Sequence, residues 1–86
     1  MYVRLYSKPD CSLCDKLKAD LVEYQRELGF TLEELNIEED AAAFERYRYL
    51  IPVLDIEGGP LLYPPHTWEG VGAALRAAAR KDAYDH

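Results

Sequence analysis

Long apolar runs are missing from this 86-residue chain, and none approaches the ~20 residues needed to span a bilayer. Basic residues are scarce: ten Lys and Arg stand against sixteen Asp and Glu, a net charge of −6. That balance argues against nucleic acid and anionic membrane surfaces as partners. The N-terminus lacks a charged segment followed by an apolar one, because Met1 leads almost at once into a strand pattern. The expected location is therefore cytoplasmic. No internal repeat and no low-complexity linker occurs, and the length leaves no room for a second core, so residues 1–86 read as one domain. Cysteine is nearly absent as well. Only two occur, Cys11 and Cys14, three positions apart. In a reducing cytoplasm a purely structural disulfide is not expected, and so close a pair reads as catalytic or metal-binding.

What is present is a packable chain. Hydrophobic residues make up 49%, enough for a folded domain rather than a disordered one. Tyr2–Tyr6 is short and β-rich, with Val3 and Leu5 on one face. Pro9 ends it, and Asp10 or Ser12 is placed to cap the helix that follows. That helix runs to about Leu28, because Cys14, Leu17, Leu21, Tyr24 and Leu28 repeat at helical spacing and Gly29 supplies a left-handed terminator. Phe30–Ile37 reads as a second strand, in which the Glu33-Glu34 pair marks either a half-exposed edge or a bulge. Asp40–Leu50 reads as a helix burying Phe44, Tyr47 and Leu50.

Pro52 halts that helix. Pro52–Glu57 and Leu61–Tyr63 read as a hairpin around Gly58-Gly59. Thr67 caps a last helix to about Arg80, with Trp68, Val71, Leu75 and Ala78 or Ala79 on its apolar face, and residues 82–86 are expected to fray. The order β-α-β-α-β-β-α predicts an α/β fold. Its first two strands lie parallel across a right-handed crossover and its last two form an antiparallel pair. All four make one mixed sheet with helices on both faces.

The cysteines sit at the junction between the first strand and the first helix. Residues i and i+3 of a helix share a face with Cβ atoms ~5–6 Å apart. A modest rotation at the first turn brings them to the ~3.8 Å of a disulfide. Cys11 lies where unpaired N–H groups and the positive end of the helix dipole stabilise a thiolate. Cys14 belongs to the buried stripe. Cys11 is thus the candidate nucleophile and Cys14 the resolving thiol, with Lys8, Lys16 and Lys18 favouring the thiolate and Asp10 and Asp15 opposing it. A structural zinc site needs four ligands, and only the two cysteines and His66 are at hand. His66 reads as a loop histidine, and a pair of buried, inert thiols is the plain alternative.

Tyr6-Ser-Lys-Pro-Asp-Cys-Ser-Leu-Cys14, followed some forty residues on by Ile51-Pro52-Val53-Leu54, resembles a glutaredoxin-like member of the thioredoxin superfamily. The likeness extends over nearly the whole chain. It implies a thioredoxin-like fold in which Pro52 is a cis-proline facing the cysteines. It also implies that the Ile51 backbone pairs with bound substrate like an added strand, and that Lys8 holds a substrate carboxylate. The implied activity is thiol–disulfide exchange on protein or low-molecular-weight disulfides. No tightly bound cofactor is implied, the electron donor is glutathione or thioredoxin reductase, and the chain acts as a monomer.

The departures bear on the donor. Ser12-Leu13 stands where the family carries Pro-Tyr, and Leu50-Ile51-Pro52 where it carries Thr-Val-Pro. The Gly-Gly-Asp-type stretch before the last helix, which helps bind glutathione, is replaced by Tyr63-Pro64-Pro65-His66-Thr67-Trp68. Arg46 or Arg48 could replace lost anion contacts, although exposed helix arginines ordinarily hold nothing specific. The alternatives are a metal- or iron–sulfur-binding module and a non-catalytic interaction domain.

Overall fold

Alternation along the first strand sets the architecture. Val3, Leu5 and Ser7 are buried while Arg4 is exposed, so one face of β1 (Tyr2–Ser7) is committed to a core. The computed structural model describes residues 1–84, and the side chains through residue 83. β1 is followed by α1 (Ser12–Leu28), β2 (Thr31–Asn36), a 3-10 turn (Ile37–Glu39), α2 (Ala41–Tyr47), β3 (Val53–Ile56), β4 (Leu61–Leu62) and α3 (Trp68–Tyr84). The strand order is β2-β1-β3-β4, with β1 and β2 parallel and the other pairs antiparallel. The expected mixed four-stranded sheet is present.

Each face carries its own cluster. Leu17, Leu21 and Tyr24 of α1 and Val71, Leu75 and Ala78 of α3 pack on Val3, Leu5, Leu54 and Ile56. On the other face Ile37, Ala43 and Tyr47 meet Val53, with Tyr6 and Ile51 against them. Two contacts fix α1 on α3. Tyr24 stacks on Trp68 with centroids 4.2 Å apart and donates its hydroxyl to the Trp68 carbonyl at 2.7 Å. Arg76 donates twice to the Glu27 carboxylate, both at 3.0 Å, which holds that carboxyl below its ordinary pKa. Gly72 is needed here, because a Cβ at that position would overlap the Tyr24 ring.

The α1 stripe is as the spacing predicts, and Gly29 ends the helix in the left-handed region at φ 74°. Thr67 also caps as expected, its hydroxyl accepting from Gly70 N at 3.0 Å. Other local expectations need correction. α1 is capped by Cys11, not by Asp10 or Ser12. β2 stops at Asn36, whose side chain accepts from Glu38 N at 2.9 Å and turns the chain, leaving Ile37 buried in the 3-10 turn. Glu33-Glu34 forms no bulge. The register from Tyr2↔Thr31 to Ser7↔Asn36 is unbroken along the sheet edge, and the two carboxylates reach Arg4 at 3.3 Å and Lys18 at 2.9 Å.

α2 is shorter than predicted and turned by one residue. Asp40 accepts from Ala42 N and Ala43 N, so Ala43 and Tyr47 face the sheet while Phe44 is 37% exposed. Leu50 lies beyond the helix end and is also exposed. The hairpin closes through residues 57–60 rather than a two-residue turn, with Gly58 at φ 77°. Residues 82–84 continue α3, and the rest of the stretch expected to fray, Asp85 and His86, lies outside the described residues. Among the described residues no helix is long and apolar enough to cross a membrane.

Candidate active site

β1 delivers the chain to one end of the sheet, and the turn to α1 is made at Asp10, which adopts φ 58°. Aspartate is among the few side chains that tolerate this left-handed conformation. The turn leaves Cys11 extended, at φ −116° and ψ 104°, directly before the helix. That is N-cap geometry. The Cys11 Sγ accepts from Cys14 N at 3.2 Å, and the Cys11 carbonyl accepts from Asp15 N at 3.1 Å. A sulfur therefore does what a Ser or Asp oxygen ordinarily does at a helix start.

Cys11 and Cys14 form a disulfide with Cα atoms 5.2 Å apart. The two ends of the bond differ. Cys11 is half-buried, whereas Cys14 is 1% exposed within the stripe that α1 lays on the sheet. Cys11 is thus the more solvent-accessible end of the bond.

Beside the first turns of α1 lies a mostly apolar groove of about 350 Å³, lined by Leu13, Lys16, Leu17 and Asp20 of α1, by Pro52, and by Pro64, Pro65 and His66. Ile51-Pro52 is a cis peptide, as the resemblance implied, and so is Pro64-Pro65. Pro52 is fully buried, and Ile51 is half-buried against the Tyr47 and Val53 cluster. His66 Nε2 lies 2.6 Å from the Pro52 carbonyl oxygen. A carbonyl only accepts, so this nitrogen carries the proton and donates. His66 does lie in a loop, between β4 and α3, and from there it braces the Pro52 loop from fourteen residues away. No local pattern announces such a bond.

The turn from β1 into α1 borders a separate polar cleft of about 280 Å³ containing Ser7, Lys8, Asp10, Asp15 and Glu34. Lys8 is exposed there, and it does not line the groove that contains Pro52. Lys18 is engaged by Glu34 at 2.9 Å, a bond that raises the lysine's pKa, and Ser7 donates to the same carboxylate at 3.3 Å. Lys16 lines the apolar groove instead. Of the three lysines weighed for the thiolate, only Lys8 thus shares the cleft with Asp10 and Asp15. Among the described residues, no three of the His, Cys, Asp and Glu side chains converge as a metal-binding group.

The glutaredoxin-like domain family matches residues 2–76 of the chain. An X-ray structure of a structural-genomics target protein from X. campestris is similar at TM-score 0.74 and 29% identity, covering 87% of this chain and 96% of that one. A crystal structure of a point mutant of a thioredoxin-like protein is similar at TM-score 0.62 and 26% identity, covering 86% of this chain and 94% of that one. No curated protein matches the chain in sequence. With its Cys-x-x-Cys at the head of α1, its mixed four-stranded sheet and a family match over most of its length, the chain belongs to the glutaredoxin-like domain family of the thioredoxin superfamily.

Proposed function

We propose that the protein is a dithiol oxidoreductase that reduces disulfides through Cys11 and Cys14. One observation carries the reading: Cys11 Sγ caps α1 and accepts the Cys14 N–H at 3.2 Å, while Cys14 is buried beneath it. In the reduced protein the same N–H and the helix dipole favour the Cys11 thiolate. That thiolate attacks one sulfur of the substrate disulfide. The substrate's other sulfur leaves as a thiolate and takes a proton from water. Cys14 then loses its proton to solvent and attacks Cys11 Sγ in the mixed disulfide, expelling the second substrate thiolate. The substrate gains two electrons and two protons, and the protein is left with the Cys11–Cys14 disulfide. An external dithiol donor or two glutathione molecules return it to the reduced state.

Substrate positioning falls to the two flanks. The backbone of Ile51, next to cis-Pro52, pairs with an extended substrate segment, and Lys8 offers a cation to a substrate carboxylate. Pro64 and Pro65 in this groove have no backbone N–H to offer where a glutathione site needs backbone donors. This supports a protein disulfide as substrate and a flavoprotein reductase of the thioredoxin-reductase type as donor, in preference to glutathione.

The test is a coupled disulfide-reduction assay run in parallel with glutathione plus its reductase and with thioredoxin reductase. Turnover with thioredoxin reductase that is lost in Cys11→Ser is the expected result. Failure to reduce either a small or a protein disulfide with either donor overturns the reading.

A further inference from the structure

Charge around the redox pair does not balance. Lys18 is engaged by Glu34 at 2.9 Å. Lys16 shares its groove with Asp20, a carboxylate of opposite sign, and His66 there donates to the Pro52 carbonyl. At the turn into α1 this leaves Lys8 against Asp10 and Asp15, all three in one cleft. None of the three is in an ion pair among the described residues. Two carboxylates against one ammonium leave a net negative charge, and reach weights it further. Consecutive Cα atoms are ~3.8 Å apart, so bond lengths alone keep the Asp10 carboxylate within about 10 Å of Cys11 Sγ. Asp15 lies in the first turn of α1, its N–H bonded to the Cys11 carbonyl at 3.1 Å. Lys8 is exposed, and its long stem loses entropy if it is held at the sulfur. Nor does the turn require a charge at Asp10, because asparagine or glycine also adopts its φ of 58°.

We propose that Asp10 and Asp15 tune the redox couple: they oppose the negative charge of the Cys11 thiolate and make the protein more reducing than its helix N-terminus alone would. The proposal rests on the oxidoreductase reading and names what sets its driving force. Only the reduced protein carries the thiolate, whereas the Cys11–Cys14 disulfide is neutral. A carboxylate beside Cys11 therefore raises the free energy of the reduced state alone, and electrons pass more readily to substrate. The Cys14 N–H and the helix dipole pull the other way. Cys11 stays more acidic than a free thiol, but by less than those two groups would give unopposed.

The experiment equilibrates the protein with glutathione and glutathione disulfide at low ionic strength and about pH 8, near the titration range of a thiol. Two glutathione thiols give two electrons to the Cys11–Cys14 disulfide and become one glutathione disulfide. Their two protons go to the cysteines, or one to solvent where Cys11 stays a thiolate. Asp10→Asn and Asp15→Asn should each shift this equilibrium toward the reduced protein by roughly two- to fivefold, the effect of one unit charge near a protein surface. The alkylation midpoint of Cys11 should fall in the same variants, and both effects should shrink in about 1 M salt. Glu57→Gln removes an equal charge at the far end of β1, where Glu57 N donates to Tyr2 O at 2.9 Å, and should change neither. Urea unfolding is followed alongside, because a carboxylate that only steadies the start of α1 would lower stability without moving the equilibrium. Wild-type equilibrium and midpoint in either aspartate variant, or an equal shift in Glu57→Gln, overturn the proposal. Shifts in a protein that turns over no disulfide substrate leave the tuning standing and remove the oxidoreductase. Turnover without the shifts removes the tuning alone.

Discussion

Replacing Cys11 by serine and by alanine separates two jobs that the sulfur performs. Both variants lack the nucleophile, and both should be inactive. They differ in the cap. Cys11 Sγ accepts the Cys14 N–H at 3.2 Å from extended backbone geometry, so it satisfies one of the orphan donors at the start of α1. A serine oxygen at the same position can accept that N–H, and alanine cannot. Loss of an N-cap side chain costs about 0.5–2 kcal/mol, centred near 1. For a domain of this size 1 kcal/mol shifts Tm by roughly 4–8 °C. The comparison is made under reducing conditions, so that the disulfide does not contribute to the wild-type reference. Urea titration gives the free-energy difference, and equal m-values confirm that the unfolded states are alike. Cys11→Ser should match or exceed the reduced wild type, with Cys11→Ala lower by about 1 kcal/mol. Equal stability of the two variants would refute the cap, and with it the reason given for thiolate formation at Cys11.

Three further outcomes follow from the same geometry. His66→Ala removes the bond that braces the Pro52 carbonyl, so it should cost about 1 kcal/mol in urea unfolding and raise KM for a peptide disulfide more than it lowers kcat. An equal loss in kcat and kcat/KM would argue against a bracing role. Gly72→Ala forces a methyl into the Tyr24 ring and should destabilise by about 1–3 kcal/mol, weakening the near-ultraviolet signal of the Tyr24–Trp68 stack. The Arg76 bond lowers the folded-state pKa of Glu27, so its stabilisation is present above the unfolded carboxylate pKa and is lost as pH falls through the folded value. Thermal unfolding should therefore show wild type losing its advantage over Glu27→Gln between about pH 5 and pH 3, and parallel Tm profiles would contradict this.

Much of the fold was legible because its elements announce themselves locally. The stripe Cys14, Leu17, Leu21 and Tyr24 has one spacing and one destination, and each of the four is buried. Gly29 and Thr67 terminate and start helices by side-chain or backbone chemistry that acts within a few residues. The cap of α1 was misassigned for a physical reason. Asp10 and Ser12 are better capping residue types than cysteine, but the left-handed turn at Asp10 places Cys11 at the cap. α2 was misjudged because a seven-residue helix gives too little periodicity to fix its face, and Leu50 falls outside it. That Cys11 and Cys14 lie within bonding reach was readable from their spacing and their place at a strand-to-helix junction. The His66 brace and the groove of Leu13, Pro64 and Pro65 depend on contacts between distant segments, which composition and periodicity do not encode.

The central claim is that Cys11 is the activated, accessible thiol and Cys14 the protected one. Alkylation of the fully reduced protein across a pH series, with the modified residue located by mass spectrometry, tests it directly. Cys11 should be modified first, with a rate profile whose midpoint lies below the ~8.5 of a free thiol, while Cys14 reacts only on unfolding. Equal labelling of the two cysteines, earlier labelling of Cys14, or a Cys11 midpoint at or above the free-thiol value would contradict the account.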